Sequence, residues 1–350
     1  MELQSILDLI KPTDRAAFDA CIARFDRVAK PVGSLGKLET LLARIAAVYG
    51  STDVDIGKKC VLVFCADNGV TVQGVAQSGS EVTAAIATSL GAGKASVSMM
   101  ARTCGADVFP VDIGMQHTVN GLLPHKLMPG TNDMTLGPAM PKETALQAIT
   151  FGATLVKEKK AQGYRLIATG EAGIGNTTTT GAVTAALLHL PAERVAGRGA
   201  GLSDAGLERK IRAIALALKV NHPDPNDPVD VLAKVGGLDI AAMTGAFLGG
   251  AAYGVPVVMD GVISAAAALC AVRIAPAVSG YIVPSHMSAE PAGRMLCDGL
   301  SFDPILHADM RLGEGTGAVA LFPLLDMAAM VYRHAATFED ISVTAYTRQC

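Results

Sequence analysis

The chain has 350 residues, 50% of them hydrophobic, and a formal charge of −3. That length supports a full core in one large domain or two unequal ones. Charged residues make up only 17%, below the roughly one quarter usual for globular domains, which predicts extensive buried surface, in the core or at a subunit interface. No basic stripe or Lys/Arg run is present, which argues against a nucleic-acid groove.

The opening stretch MELQSILDLIKPTDR lacks the positive-then-apolar pattern of a signal peptide. Apolar stretches around 241–275 are interrupted by Asp260 and Arg273, so buried helix and strand is the expectation rather than a membrane span. The cysteines Cys21, Cys60, Cys65, Cys104, Cys270, Cys297 and Cys350 form no close CxxC pair, and a cytoplasmic protein with core thiols is expected.

Helical spacing of Phe18, Cys21, Ile22 and Phe25, and again of Leu38, Leu41, Leu42 and Ile45, predicts two N-terminal helices around the loop Lys30–Gly36. Cys60–Ala66 reads as the first strand, ending in Asp67-Asn68-Gly69. A helix is expected over Glu81–Ala101, then a strand over Asp107–Val111 ending in Asp112. A helix from Lys142 to Lys160 precedes a strand Arg165–Thr169, which runs into Gly170-Glu171-Ala172-Gly173-Ile174-Gly175-Asn176. Further strands are read at Pro256–Met259 and Gly280–Val283. The pattern predicts an α/β fold: a three-layer α/β/α large domain around a mostly parallel sheet, with a small helical domain. The large catalytic domain is placed at 36–303. The small domain is assembled from 1–35 and from 304–350, the latter carrying the loop around Glu314 and the C-terminal helices.

Polar residues and glycines cluster after strand ends, where open parallel sheets hold their ligands. Gly173, Gly175 and Asn176 open a helix after a strand, a backbone nest suited to phosphate; tight helix–sheet packing is the alternative. Neither a Walker A motif nor GxGxxG is matched. A second cluster, Gly197 to Gly206, precedes the helix carrying Lys210, which could reach a phosphate or simply lie at the surface. In Arg311-Leu312-Gly313-Glu314-Gly315-Thr316-Gly317, the glycines leave the Glu314 carboxylate open to a cleft, as a base or as a helix-start cap. Glu171 is a second such carboxylate, equally ambiguous from its own neighbours. Asp67, Asp112 and Asp260 each end a strand and could line the cleft or cap the next turn. The seven histidines are isolated, with no metal-ligand spacing.

Taken in order, KPVGSLGKLE, ADNGV, DIGM, GEAGIGNTTT, GRGAGLSDAGLERK, DPVDVLAKVGG, PVVMDGVISAAAAL, SAEP and RLGEGTGA resemble the nicotinate-nucleotide:dimethylbenzimidazole phosphoribosyltransferase family over nearly the whole chain. The resemblance implies transfer of 5-phosphoribosyl from β-nicotinate mononucleotide to 5,6-dimethylbenzimidazole, for assembly of the cobamide nucleotide loop. It implies Glu314 as catalytic base and Glu171 as a second active-site carboxylate. Gly173, Gly175, Asn176, Gly201 and Lys210 fall on its phosphate- and ribose-binding elements. A homodimer with no organic cofactor and no dedicated metal is implied as well. The chain departs from the family where GVSxYPxEVTxQ becomes Gly74 to Ala85, and HRSAEPGH becomes His286 to Gly293. Ala76, Ser78 and Ala85, with Leu312, are therefore the expected acceptor-pocket positions, and a purine or phenolic acceptor, or a heterodimer with a paralogue, are alternatives. A metal-dependent hydrolase and a non-catalytic nucleotide-binding protein are the competing classes.

Overall fold

A computed structural model describes residues 2–346 of the chain. Six strands form one sheet: β1 (Lys59–Ala66), β2 (Asp107–Gly114), β3 (Leu123–Pro124), β4 (Leu166–Ala172), β5 (Val257–Met259) and β6 (Ile282–Pro284). Their order is β3-β2-β1-β4-β5-β6, with every pairing parallel. Helices cover both faces, which is the expected three-layer α/β/α arrangement.

The sequence of β1 explains why both faces are covered. Cys60, Leu62, Phe64 and Ala66 join one hydrophobic core, while Val61, Val63 and Cys65 join the other. A strand with two apolar faces has no side to give to water. The first face is packed by the helices Lys142–Ala161, Asn176–Leu188, Leu238–Tyr253 and Val262–Ile274. The second is packed by Arg15–Arg27, Lys37–Tyr49, Ser96–Thr103 and Thr316–His334.

The terminal segments meet on this second face. The Ala29 N–H donates to the Ala336 carbonyl at 2.8 Å, and the rings of Phe25 and Tyr332 lie 4.9 Å apart. Residues 347–350, including Cys350, lie outside the described residues. Thr316–His334 is, among the described residues, the one helix long and apolar enough to cross a membrane, and 56% of that apolar window is buried inside the protein.

Three expected elements differ. The helix expected over Glu81–Ala101 is two helices, Ser80–Gly91 and Ser96–Thr103, because Gly93 takes a left-handed φ of +64° that breaks the first. β4 extends to Ala172, so Glu171 lies within the strand rather than beyond it. The segment Pro276–Tyr281 is a 3₁₀ helix, which delays β6 to Ile282. The two-residue β3 carries too little pattern to be read from sequence.

The winding of the sheet reverses between β1 and β4, which lie side by side although β2 and β3 intervene in sequence. Chain segments leaving the carboxyl ends of the strands diverge there and leave a crevice. On the first face, the helices Lys142–Ala161 and Leu238–Tyr253 pack almost backbone to backbone. A Cβ added at Gly245 would lie 1.8 Å from the Ile149 carbonyl oxygen, and one at Gly152 would lie 2.0 Å from that of Ala242. The substitution Gly245→Val is expected to force these helices apart at a cost of about 1–3 kcal/mol, the range for overpacked cores. Thermal unfolding should register it as a clearly lowered Tm, and an unchanged Tm would mean the pair is not tightly held.

Candidate active site

A cleft opens at the carboxyl ends of β1, β4, β5 and β6. Its wall includes residues from Val75–Ser78, Glu171–Thr177, Arg198–Ala200, Asp260–Ser264, His286 and Arg311–Glu314. The glycines around it answer to steric demand. A Cβ at Gly173 would lie 2.3 Å from the Ala66 carbonyl oxygen, so only glycine lets β4 turn away past the end of β1. Gly175 has φ +92° and precedes the first residue of the helix Asn176–Leu188. The cleft thus receives the positive end of a buried helix.

Lys210 comes from the second turn of the helix Asp204–Asn221 and is buried despite its charge. Its Nζ donates to Thr177 Oγ1 at 2.8 Å and to the Gly197 carbonyl at 3.0 Å. Desolvation lowers its pKa to about 8, against a smaller opposing pull from Glu290. An ammonium has three protons, so one remains for a ligand beside the helix start. A surface position, the alternative left open by the sequence, is not what the structure has.

The Glu314 loop is held from two sides. Gly313, Glu314 and Gly315 all have positive φ, at 90°, 62° and 90°. For glutamate this is a sparsely populated conformation that surrounding structure must enforce. The Gly315 N–H donates to Asp260 Oδ2 at 3.1 Å and the Ala318 N–H to Asp260 Oδ1 at 2.9 Å. Asp260, from the end of β5, therefore caps the helix Thr316–His334, leaving Glu314 free of that duty. Glu314 instead accepts from the Val97 N–H through Oε2 at 3.1 Å. A Cβ at Gly170 would lie 2.4 Å from the Glu314 carbonyl oxygen, so β4 needs glycine there for the loop to approach.

Carboxyl groups crowd this wall. Glu171 is buried, and its Oε2 accepts from Asn176 Nδ2, which also donates to Asp239 Oδ2 at 3.3 Å. Burial pushes Glu171 up to about 8, reinforced by the negative charges of Asp239 and Asp260. Burial likewise raises Asp239 to about 6, while the Ile240 N–H and Asn176 pull it back. Asp260 is raised by burial and pulled down by His286 and by the amides it caps. Burial thus raises all three of these carboxyl groups, Glu171 to the highest printed value.

Of the expected site residues, Glu314, Glu171, Gly173, Gly175, Asn176, Lys210, Ala76, Ser78 and Leu312 line this one cleft. Gly201 and Ala85 are exposed and stand beside it. Gly201 adjoins the lining Ala200 and accepts from the Gln77 side-chain amide, and Ala85 precedes the lining Ile86. Neither Asp239 nor His286 is marked out by its neighbours in sequence. Asp239 is brought near by the Gly236-Gly237 bend, and His286 is an isolated histidine whose partners are mostly distant in the chain. Asp67 and Asp112 serve backbone amides, of Gln116 at 2.8 Å and Met115 at 2.9 Å. Among the described residues, no group of three or more His, Cys, Asp or Glu side chains is placed to hold a metal ion.

A family model described as phosphoribosyltransferase matches residues 10–343. A nicotinate-nucleotide–dimethylbenzimidazole phosphoribosyltransferase of Acetivibrio thermocellus is 43% identical over 99% of this chain and 98% of that protein. The protein of the same name from Geobacter sulfurreducens is 42% identical over 97% of this chain and 98% of its own length. The crystal structure of CobT from Thermus thermophilus superposes with a TM-score of 0.90 at 39% identity, covering 95% of this chain and all of that one. The full-length match in sequence and in fold settles the assignment: the chain belongs to the nicotinate-nucleotide–dimethylbenzimidazole phosphoribosyltransferase family.

Proposed function

We propose that this chain transfers the 5-phosphoribosyl group of β-nicotinate mononucleotide to 5,6-dimethylbenzimidazole or a related lower-ligand base, in the cleft lined by Glu314, Glu171 and Lys210. The products are an α-riboside 5′-phosphate and nicotinate, the former destined for a cobamide nucleotide loop. The observation that carries the reading is the convergence of two glutamates, a glycine-bounded helix start and a buried lysine on one cleft.

Nicotinate is bonded to ribose through a cationic ring nitrogen, so that nitrogen departs neutral and needs no strong acid. The incoming base attacks the opposite face, which inverts β to α. Its ring nitrogen would become cationic unless the N–H on the other nitrogen is removed. Glu314 is the base for that proton. Its Oε2 is engaged by the Val97 amide, which orients the carboxylate and leaves Oε1 for the acceptor. Glu171, raised by burial to about 8, is the second carboxyl group on the same cleft wall. Lys210 and the Gly173–Gly175 turn hold the phosphate, so binding energy remote from the anomeric carbon aligns it for attack. The acceptor end is bounded by the short side chains of Ala76 and Ser78.

The finer expectations are a homodimer, and a reducing compartment such as the cytoplasm, which the free thiols of the six described cysteines support. Mass measurement of the native protein, with a search for a copurifying paralogue, distinguishes homodimer from heterodimer.

The direct assay supplies β-nicotinate mononucleotide with dimethylbenzimidazole, other benzimidazoles, adenine, phenol and p-cresol. Nicotinate and an α-riboside phosphate are the expected products; no nicotinate release above background with any acceptor contradicts the reading. Glu314→Gln should bind the nucleotide normally yet lose roughly 10²–10⁴-fold in kcat, the usual worth of a positioned general base. Near-wild-type turnover would remove Glu314 from that role. A pH profile tests Lys210 separately, because kcat/KM reports groups of the free enzyme. The Lys210 ammonium is present below about pH 8 and lost above it. Accordingly, kcat/KM for the nucleotide should fall as pH rises through that value. Lys210→Met should lower the plateau and abolish the step; persistence of the step would assign it to another group.

A further inference from the structure

His286 is buried, lines the cleft, and takes no part in the chemistry assigned above. Its ring is fixed by close packing: a Cβ at Gly317 would lie 1.9 Å from Nδ1, and one at Gly261 would lie 3.4 Å from Nε2. The surrounding hydrogen bonds assign its tautomer. Ser285 Oγ lies 2.6 Å from the Met259 carbonyl oxygen, to which it must give its single proton. The same Oγ lies 3.1 Å from His286 Nδ1 and can only accept there, so Nδ1 carries the hydrogen. Asp260 Oδ1, 3.9 Å from Nδ1, favours the same choice. When the ring is neutral, Nε2 is then a lone-pair acceptor, and no group among the described residues donates to it.

The chain trace says what lies opposite. Met287 and Ala289 donate their amides outward to the carbonyls of Leu306, at 2.9 Å, and Met310, at 3.1 Å. The alternate residues His286, Ser288 and Glu290 line the cleft. Glu290 ends this row at the phosphate side, where its Oε1 accepts from the Gly199 N–H at 3.0 Å. His286 ends it at Asp260, beneath the Glu314 turn. Between phosphate and reacting carbon lies the ribose. Beside it, each Asp260 oxygen already takes one backbone amide, and Ser264 Oγ is engaged by Thr169 and the Asp260 N–H.

We propose that His286 is a specificity-determining residue whose Nε2 accepts a hydrogen bond from a ribose hydroxyl of the phosphoribosyl donor. The assignment rests on the phosphoribosyl-transfer reading, and it makes the cleft selective for ribose over deoxyribose. Gly261 is part of the device, since a side chain there would cover Nε2.

The test compares kcat/KM for nicotinate release from β-nicotinate mononucleotide and its 2′-deoxy and 3′-deoxy analogues, with dimethylbenzimidazole as acceptor. Wild type should prefer the ribonucleotide over at least one analogue by about three- to tenfold, the worth of one neutral hydrogen bond. His286→Ala should lose that factor on the ribonucleotide and little on that analogue, so the preference collapses toward one. His286→Gln, whose amide oxygen reaches a similar position, should restore part of it. Equal use of all three nucleotides by the wild type overturns the proposal, and that arm needs no variant to fold. An unchanged preference in folded His286→Ala overturns it too. Absence of nicotinate release from the ribonucleotide itself would instead strike the functional reading, so the two failures are distinguishable.

Discussion

Asp260 is the residue on which the geometry of the cleft depends. It leaves the end of β5 buried, and its two oxygens take the amides of Gly315 and Ala318 at the start of the helix Thr316–His334. A buried carboxylate is unfavourable unless such donors and a helix terminus offset its desolvation. Once that anchor is made, the three residues Gly313, Glu314 and Gly315 have to enter the helix through left-handed backbone. The strain at Glu314 is borne by a packed setting: Gly170 beneath it, Gly313 against Glu171, and Val97 donating to its carboxylate. One cap therefore orients one glutamate.

A second consequence is the division of protonation states on the acidic wall. Three buried carboxyl groups, Glu171, Asp239 and Asp260, share this wall, and burial raises each of them. Glu171, raised by burial and by the charges of Asp239 and Asp260, rises to about 8, whereas amide donors hold Asp239 at about 6. Environments that push neighbouring carboxyls apart separate proton donors from acceptors. Opposite the acids stands Lys210, itself readied by burial to change charge near pH 8. The cleft therefore has one lysine and a helix start at one end and carboxyl groups at the other, which in the proposed arrangement face the phosphate and the reacting carbon.

Much of the fold was legible because the sheet is buried on both faces. Strands such as β1 have to be continuous apolar runs, and the glycines and acids after them mark the carboxyl ends where a crevice forms. The glycine-flanked Glu314 and the Gly173–Gly175 turn stand out for the same reason. What could not be read depended on partners remote in sequence. Nothing local to Lys210 says that it is buried against Thr177, and nothing local to Glu314 says that Asp260 relieves it of capping its own helix. His286 looks like any isolated histidine until Ser285, Gly317 and Asp260 are brought around it. The break at Gly91-Ala92-Gly93 does not show in the pattern because glycines inside an apolar helical stretch are often tolerated.

The proposed arrangement is spatial: phosphate at Lys210, acceptor nitrogen at Glu314, and ribose between them. A crystal structure of the enzyme with its α-riboside phosphate product tests it most directly. Phosphate oxygens are expected within hydrogen-bonding distance of Lys210 Nζ and the Gly175–Asn176 turn, with the base's ring nitrogen facing Glu314 Oε1. Phosphate bound away from Lys210, or a base pointing away from Glu314, would contradict it.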